Sequence, residues 1–379
     1  MLAGNFAIGC GVMVAAGSLN DLVASLHVSV ALGGQLVTVA AIAMALGAPL
    51  LALLWGDSDR RRLLTLALLW YAAGHALCAL MPSYATLWPV RALTMLGAAV
   101  FTPQAAAAMN VMAPAAERGR AMTFIFLGWS ISSVVGMPLH AWIAESFGWR
   151  WAFGLVALLS LLGAAAVWRA VPSGVRPAPL PLSGWFTVLR HPLLMGLVLV
   201  TVCSGAGQFV LFTYFAPYYR RVLGASPEAV GFLFLWFGAF ALLGSILLTR
   251  SITRLGATRC VNTGLVLMAL AMLAWPWASS VALMALVLIP WGLGVFSSNS
   301  AQQARLSGSA PMLAPAVLAL NTSAIYVGQG LGAGIGGALI SSSSSGLASL
   351  HVAALALMLA ALALSAGLAW RMRQQVVHA

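Results

Sequence analysis

Lysine is absent from this chain of 379 residues, acids number only six, and charged residues of every kind make up 6%. Soluble domains carry roughly 25% charged residues, and no soluble fold of this size covers its surface with so few. Apolar residues reach 62%, so the chain is expected to dissolve in lipid. The four cysteines, Cys10, Cys78, Cys203 and Cys260, fall singly in separate apolar runs with no pair at metal-ligand spacing. They read as free-thiol packing residues, and neither a metal nor another cofactor is expected. There is no H-E-x-x-H, and none of the six histidines has an acid at helical spacing. Both absences argue against an embedded metalloprotease or acid–base transferase, so the chain is not expected to be an enzyme. A sensor or assembly protein, the other competing reading, would be expected to append a soluble domain, and none is seen. No basic n-region marks a signal peptide.

The charge that is present is scattered. The net charge of +12 is carried by single arginines or small groups between apolar runs, whereas a nucleic-acid reader clusters its basic residues on one wet face. A nucleic-acid partner is therefore not expected. Because a helix needs about 20 apolar residues to cross the hydrocarbon core, the pattern predicts twelve spans. The first six lie at 2–24, 33–54, 63–81, 87–112, 121–146 and 151–169; the second six lie at 193–218, 228–250, 260–278, 281–304, 315–339 and 347–370. The stretch "AVPSGVRPAPLPLSGWFTVLRHP" between them reads as a linker. The expected organisation is an all-α integral membrane protein, with one six-helix bundle over 1–169, a linker over 170–192 and a second bundle over 193–379.

Arginine placement sets the orientation, since cytoplasmic loops carry an excess of Lys and Arg. Connections after the even-numbered spans, with the C-terminus, hold Arg60, Arg61, Arg62, Arg118, Arg120, Arg169, Arg176, Arg190, Arg250, Arg254, Arg259, Arg305, Arg371 and Arg373. The opposite side holds only Arg150, Arg220 and Arg221, so both termini are expected in the cytoplasm. Arg91 is left inside the fourth span.

The two halves repeat. Gly47 opens "GAPLLALLWGDSDRRRLL" and Gly244 opens "GSILLTRSITRLGATRCV" at the ends of spans 2 and 8. Gly128, Ser132 and Gly136 step by four through span 5, as Gly328, Gly332 and Gly336 do through span 11. Rows of small residues let another helix approach closely, and their recurrence in corresponding spans implies a duplicated six-helix unit.

These residues resemble the major facilitator superfamily, in particular its twelve-span drug/proton antiporters and arabinose-type efflux permeases. The resemblance rests on "GDSDRRR" after span 2, "RALTMLGAA" in span 4 and "GWSISSVVGMP" in span 5. "PAAERGRAM", "FGWRWAF" and the "GQFVLFTYFAP" of span 7 extend it over the whole chain. It implies a carrier of the major facilitator fold that moves a small molecule, sugar-like or drug-like, by alternating access, with efflux favoured. The composition, rich in Ala, Leu and Arg, suggests a bacterial inner membrane.

The resemblance also suggests roles. Asp57, Asp59, Arg60, Arg61 and Arg62 would form a cytoplasmic gate, with the arginines also fixing topology and touching lipid heads. Aligning Gly47 with Gly244 sets Asp59 opposite Gly256, so which aspartate acts is open. Arg91, costing roughly 2.5–3.5 kcal/mol at a span's centre, would either snorkel outward or pair with Asp21 as a proton-coupled ion pair. Efflux relatives often carry an acid near the position of Val12; this chain has none, and Glu117, Glu145 and Glu228 lie at loops or span ends. That favours neutral or anionic substrates. Cavity candidates are the polar residues of buried helices: Asn20, Gln208, Tyr214, Asn299, Gln302, Gln303, Thr322, Tyr326 and Gln329. His75 and His140 read as structural hydrogen-bonders rather than proton relays. The expected partners are substrate, lipid and, if Asp21 and Arg91 pair, protons, with the chain a monomer.

Overall fold

The computed structural model describes residues 1–114, 118–177, 182–310, 313–343 and 345–377. Among them the structure is all helix: α1 (Leu2–Gly17), α2 (Leu19–Ser25), α3 (Val30–Leu54), α4 (Arg60–Leu80), α5 (Tyr84–Met112), α6 (Arg118–Ile131), α7 (Met137–Phe147) and α8 (Trp149–Ala170). Then follow α9 (Leu182–Arg190), α10 (Pro192–Phe212), α11 (Phe215–Arg221), α12 (Pro227–Leu255), α13 (Ala257–Ala274), α14 (Val281–Ser309), α15 (Ala314–Ser342) and α16 (Gly346–Val377). Ten helical stretches among the described residues are long and apolar enough to cross a membrane, eleven if the bent pair α1–α2 counts as one.

Several expected spans are broken, each for a local reason. The first bends by 56° between α1 and α2. Gly17 and Ser18 sit at the break, and the Ser18 hydroxyl donates back to the Val14 carbonyl, a bond that competes with the helix ladder and bends it. The fifth runs through a π-helical segment, Ser132–Gly136, between α6 and α7. Pro138 has no N–H to return to the Val134 carbonyl, which favours the wider turn. The seventh breaks at Thr213–Tyr214, and the linker contains the helix α9.

The chain divides into two compact units. Unit 1 comprises Met1–Pro179 with Thr213–Leu235, and unit 2 comprises Leu180–Phe212 with Trp236–Ala379. The excursion 213–235 thus groups with the first unit rather than with the second half of the chain, because α11 packs on α1 and α2. Within unit 1, α1 touches α5, α6, α7 and α8, while α4 lies on α5 and α8. Within unit 2, α10 lies on α15 and α16, and α13 on α14 and α16.

Small residues set those contacts. A Cβ on Gly128 would stand 2.5 Å from the Leu2 carbonyl oxygen, and one on Gly332 would stand 2.3 Å from that of Ala206. The helices therefore meet backbone to backbone, as the glycine rows implied. Large apolar side chains such as Leu46, Leu80 and Trp151 are exposed instead, an arrangement suited to lipid rather than water.

Candidate functional site

In unit 1 the unusual residue is Arg91. It lies two turns into α5 and is 0% exposed, so its guanidinium turns inward rather than snorkelling. One Nη donates to His75 Nε2 at 2.9 Å, the other to the Gly11 carbonyl at 2.7 Å and the Val12 carbonyl at 3.4 Å. The Phe153 ring lies 5.6 Å from the guanidinium carbon. On α1 the guanidinium meets backbone oxygens only. No carboxylate is among the hydrogen-bond partners of Arg91 in the described residues.

Those bonds define His75. Its Nδ1 lies 2.9 Å from the Tyr71 carbonyl oxygen, an acceptor, so Nδ1 carries the hydrogen and Nε2 accepts from Arg91. The ring is neutral in this arrangement. An imidazolium 2.9 Å from a guanidinium would repel it by roughly 6 kcal/mol at an effective dielectric constant near 20. Tyr71 in turn donates to the Ile8 carbonyl at 3.1 Å, so α4 and α5 both grip α1 through its oxygens. His140, on α7, is fully buried, and neither ring nitrogen has a hydrogen-bond partner among the described residues. It reaches α1 at Gly17, where an added Cβ would stand 3.1 Å from the His140 Cβ.

The structure does not bring Asp21 and Arg91 together. The Asp21 carboxylate accepts from the Trp149 amide at 2.6 Å, capping the start of α8, where an acid is favoured by the exposed N–H groups and the helix dipole. Gly148, with φ 99°, makes the turn that aims that amide. Trp149 Nε1 donates to Ser25 at 3.2 Å, and Arg150 donates to the Met81 carbonyl at 3.0 Å. The run "FGWRWAF" is thus the clasp that ties α2, α8 and the end of α4 together.

At the "GDSDRRR" loop, Asp59 is the engaged aspartate. It caps α4, accepting from the Arg62 amide at 3.1 Å and from the Gly174 amide. Desolvation pushes its carboxyl up, and the Arg62 and Gly174 amides with the Arg62 and Arg176 charges outweigh that and hold it below the usual range. Asp57 is exposed. Arg60 is buried, donating to the carbonyls of Ser58 at 2.7 Å and Gly56 at 2.8 Å, so it closes the end of α3. Arg61 stacks 4.2 Å above the Trp168 ring, and Arg62 is exposed. The side chains of Arg118 and Arg120, and all of Glu117, lie outside the described residues.

The cavity candidates separate by burial. Asn20 in unit 1 is half-buried, with Nδ2 lacking a partner among the described residues. Tyr214 is fully buried against Gly34, whose absent side chain makes room for the phenol. In unit 2, Gln302 donates to the Leu197 carbonyl at 2.6 Å and so pins α14 to α10. Gln208 bonds its own helix at the Ser204 carbonyl, and Thr322 does likewise at Leu318. Tyr326 and Gln329 are 3% and 8% exposed, while Asn299 and Gln303 are half-buried. Gln208 and Thr322 are likewise half-buried, the Asn299 Oδ1 is buried and lacks a partner among the described residues, and Gln302 serves packing.

Sequence reasoning missed three buried polar links. Asn5 donates to the Ile125 carbonyl at 3.0 Å and accepts from Thr102 at 2.9 Å. Thr201 donates to Asn321 at 2.6 Å. Arg305, expected in a cytoplasmic loop, lies inside α14 and is buried, donating to Ser365 Oγ at 2.8 Å while Ser365 donates to Asn262 at 2.6 Å. The only sequence signal was its place on the helical run "NSAQQARL".

The family model described as Major Facilitator Superfamily matches residues 1–333 and, a second time, 197–378. The chain is 28% identical over 363 residues to the uncharacterized MFS-type transporter YbcL of Bacillus subtilis, covering 95% of this chain and 92% of that one. It is also 28% identical over 342 residues to the inner membrane transport protein YdhP of Escherichia coli K12, covering 89% and 87%. In fold it is similar to a D-xylose-proton symporter, with TM-score 0.78 at 18% identity, covering 96% and 95%. A bacterial homolog of the human lysosomal transporter Spinster, inward-facing and occupied, gives TM-score 0.75 at 19% identity, covering 97% and 94%.

Proposed function

Since the chain belongs to the Major Facilitator Superfamily, we propose that it is a secondary carrier that exports a neutral or anionic small molecule, sugar-like or drug-like, and not an enzyme. The observation that carries this reading is a family match running the length of a chain whose long helices are apolar and whose buried polar groups, among the described residues, include no acid. Twelve spans follow if α1–α2, α6–α7 and α10–α11 each cross once. The second family match, starting again at residue 197, supports a duplicated chain. The carrier would work by alternating access, exposing bound solute to each side of the membrane in turn.

Orientation and site follow from the same reading. Thirteen of the eighteen arginines on one side, with Arg305 set aside inside α14, support cytoplasmic termini, and the inner-membrane relative supports that membrane. Asn20, Gln208, Asn299, Gln303 and Thr322 would contact substrate through neutral hydrogen bonds. The Asp59 junction would hold the cytoplasmic face. The protein would act as a monomer among membrane lipids. Purified protein in lipid vesicles should move at least one compound from a panel of labelled pentoses, hexoses and amphiphilic drugs, and Asn299→Leu should cut that rate at least tenfold. No flux of any panel member, with folded protein in the vesicles, would remove this reading.

A further inference from the structure

Unit 2 buries an arginine but owns no acid. Its residues, 180–212 and 236–379, contain arginines and neither Asp nor Glu, and all six acids belong to unit 1. Arg305 is 4% exposed; its Nη atoms donate to the Ser365 hydroxyl and carbonyl, and its Nε–H has no partner among the described residues. Both acceptors are neutral, and a buried guanidinium is costly until an anion stands near it. We infer that the end of unit 2 where Arg305 lies binds an anionic phospholipid, its phosphate seated in the groove between α13 and α16. Only the crossing of a membrane, with this end toward the cytoplasm, is taken from the reading above.

The register of the helices builds the groove. Three short connections separate α13 from α16, so the two run in opposite directions. Ser365 of α16 donates to Asn262 of α13 at 2.6 Å and accepts from Arg305 of α14, which puts the buried charge where the three helices meet. From Asn262, Arg259 lies about one turn toward the start of α13. From Ser365, Trp370 and Arg371 lie about a turn and a half toward the end of α16. All three are exposed, at the same end of the pair. Ala366 and Gly367 are exposed as well, and a Cβ on Gly367 would meet nothing within 4 Å, so a headgroup has room.

The outer face of α13 is patterned like the ligand. Arg259, Thr263, Val266, Leu270 and Leu273 are exposed and step by four, three, four and three, so they share one face. A cation, a hydroxyl and three apolar side chains follow the order of a phosphate, a glycerol ester and an acyl chain laid along the helix. Any lipid-facing helix supplies the apolar part. Arg259, with Arg305 buried beneath it, supplies the preference for negative charge, as basic pockets between spanning helices do for anionic headgroups. The low dielectric around Arg305 carries its attraction further than water would. Unit 1 meets the same need from within: Asp59, an anion of the chain itself, caps α4, whereas the aligned Gly256 starts α13 without a side-chain cap. The first amides of α13 are thereby left for an outside anion.

Lipid retention tests this directly. Full-length protein in detergent, stripped of native lipid, is offered phosphatidylglycerol and phosphatidylcholine of the same acyl chains in equal amounts. The first lipid retained is counted by native mass spectrometry. The expected result is at least a fivefold preference for phosphatidylglycerol, falling below twofold in Arg259→Gln and in Arg305→Gln. Arg190→Gln, on a helix that packs against α10 and α15, should leave it unchanged. Arg259 is exposed, so its variant reads the groove even if Arg305→Gln fails to fold. A preference that survives Arg259→Gln in folded protein, or that Arg190→Gln removes equally, overturns the proposal. Excess inorganic phosphate should leave the lipid bound; displacement by it would make this a site for free phosphate and end the lipid assignment. The readout involves no transport, so a chain that keeps the preference but moves no panel compound loses only the carrier reading.

Discussion

Units 1 and 2 solve the same packing problem with different chemistry. In each, the helix that opens the unit's main bundle is pinned by a buried polar bond to a partner 120 residues away: Asn5 to the Ile125 carbonyl, and Thr201 to Asn321. In each, glycine brings those helices into backbone contact, at Gly128 and at Gly332. Each also buries an arginine inside a long helix, Arg91 in unit 1 and Arg305 in unit 2, with no carboxylate among its hydrogen-bond partners in the described residues. In unit 1 its partner is a histidine, and in unit 2 it is a serine. The shared features are the small-residue contacts and the polar pins, and the differing one is the partner that each buried arginine meets.

The same contrast appears at the aligned pair Asp59 and Gly256. Asp59 caps α4 with its side chain, while Gly256 starts α13 by adopting φ 79° with no side-chain cap. One solution responds to pH and the other does not.

The largest expected effect tests the likeness. Gly332→Leu drives a side chain into the Ala206 carbonyl, and Gly128→Leu drives one into that of Leu2. Each should cost about 3 kcal/mol or more, seen as loss of a monodisperse peak after detergent extraction. A loss in one unit alone would break the comparison. A smaller effect belongs to unit 1 only. Asp21→Ala removes the cap of α8 and should lower stability by about 1–2 kcal/mol, read as a lower thermal midpoint; an unchanged midpoint would show that the Trp149 amide needs no cap.

The smallest effect sharpens the Asp59–Gly256 contrast. The folded Asp59 carboxyl titrates below its unfolded value, so its contribution is present above the unfolded value and fades as pH falls through the folded one. Asp59→Ala should therefore be less stable by a few tenths to about 1 kcal/mol at pH 7, and the gap should narrow toward pH 3. A gap independent of pH would show that Asp59 acts by its shape alone.

Much of the scaffold was legible in advance. Apolar run lengths located the long helices to within a few residues, and the four-residue glycine steps foretold the backbone contacts at Gly128 and Gly332. Arg91 stood out because a charge amid a 20-residue apolar run has few explanations. What could not be read were the breaks and the partners. Ser18 bends α1 through a bond to its own helix, and serines elsewhere in the chain make such bonds without a break. Gln302 and Gln303 are neighbours of one type, yet one pins two helices and the other is half-buried.

The sequence by itself determined that this chain lives in lipid, where its long helices run and that an arginine must be buried, because solvation and helix length act through composition and local order. Only the tertiary structure decided whom that arginine meets. Its histidine lies 16 residues away and its backbone oxygen 80, while the acid once matched to it clasps an amide 128 residues distant. A buried charge takes whichever acceptor the packing of separate helices delivers within about 3 Å, and that delivery is a property of the fold.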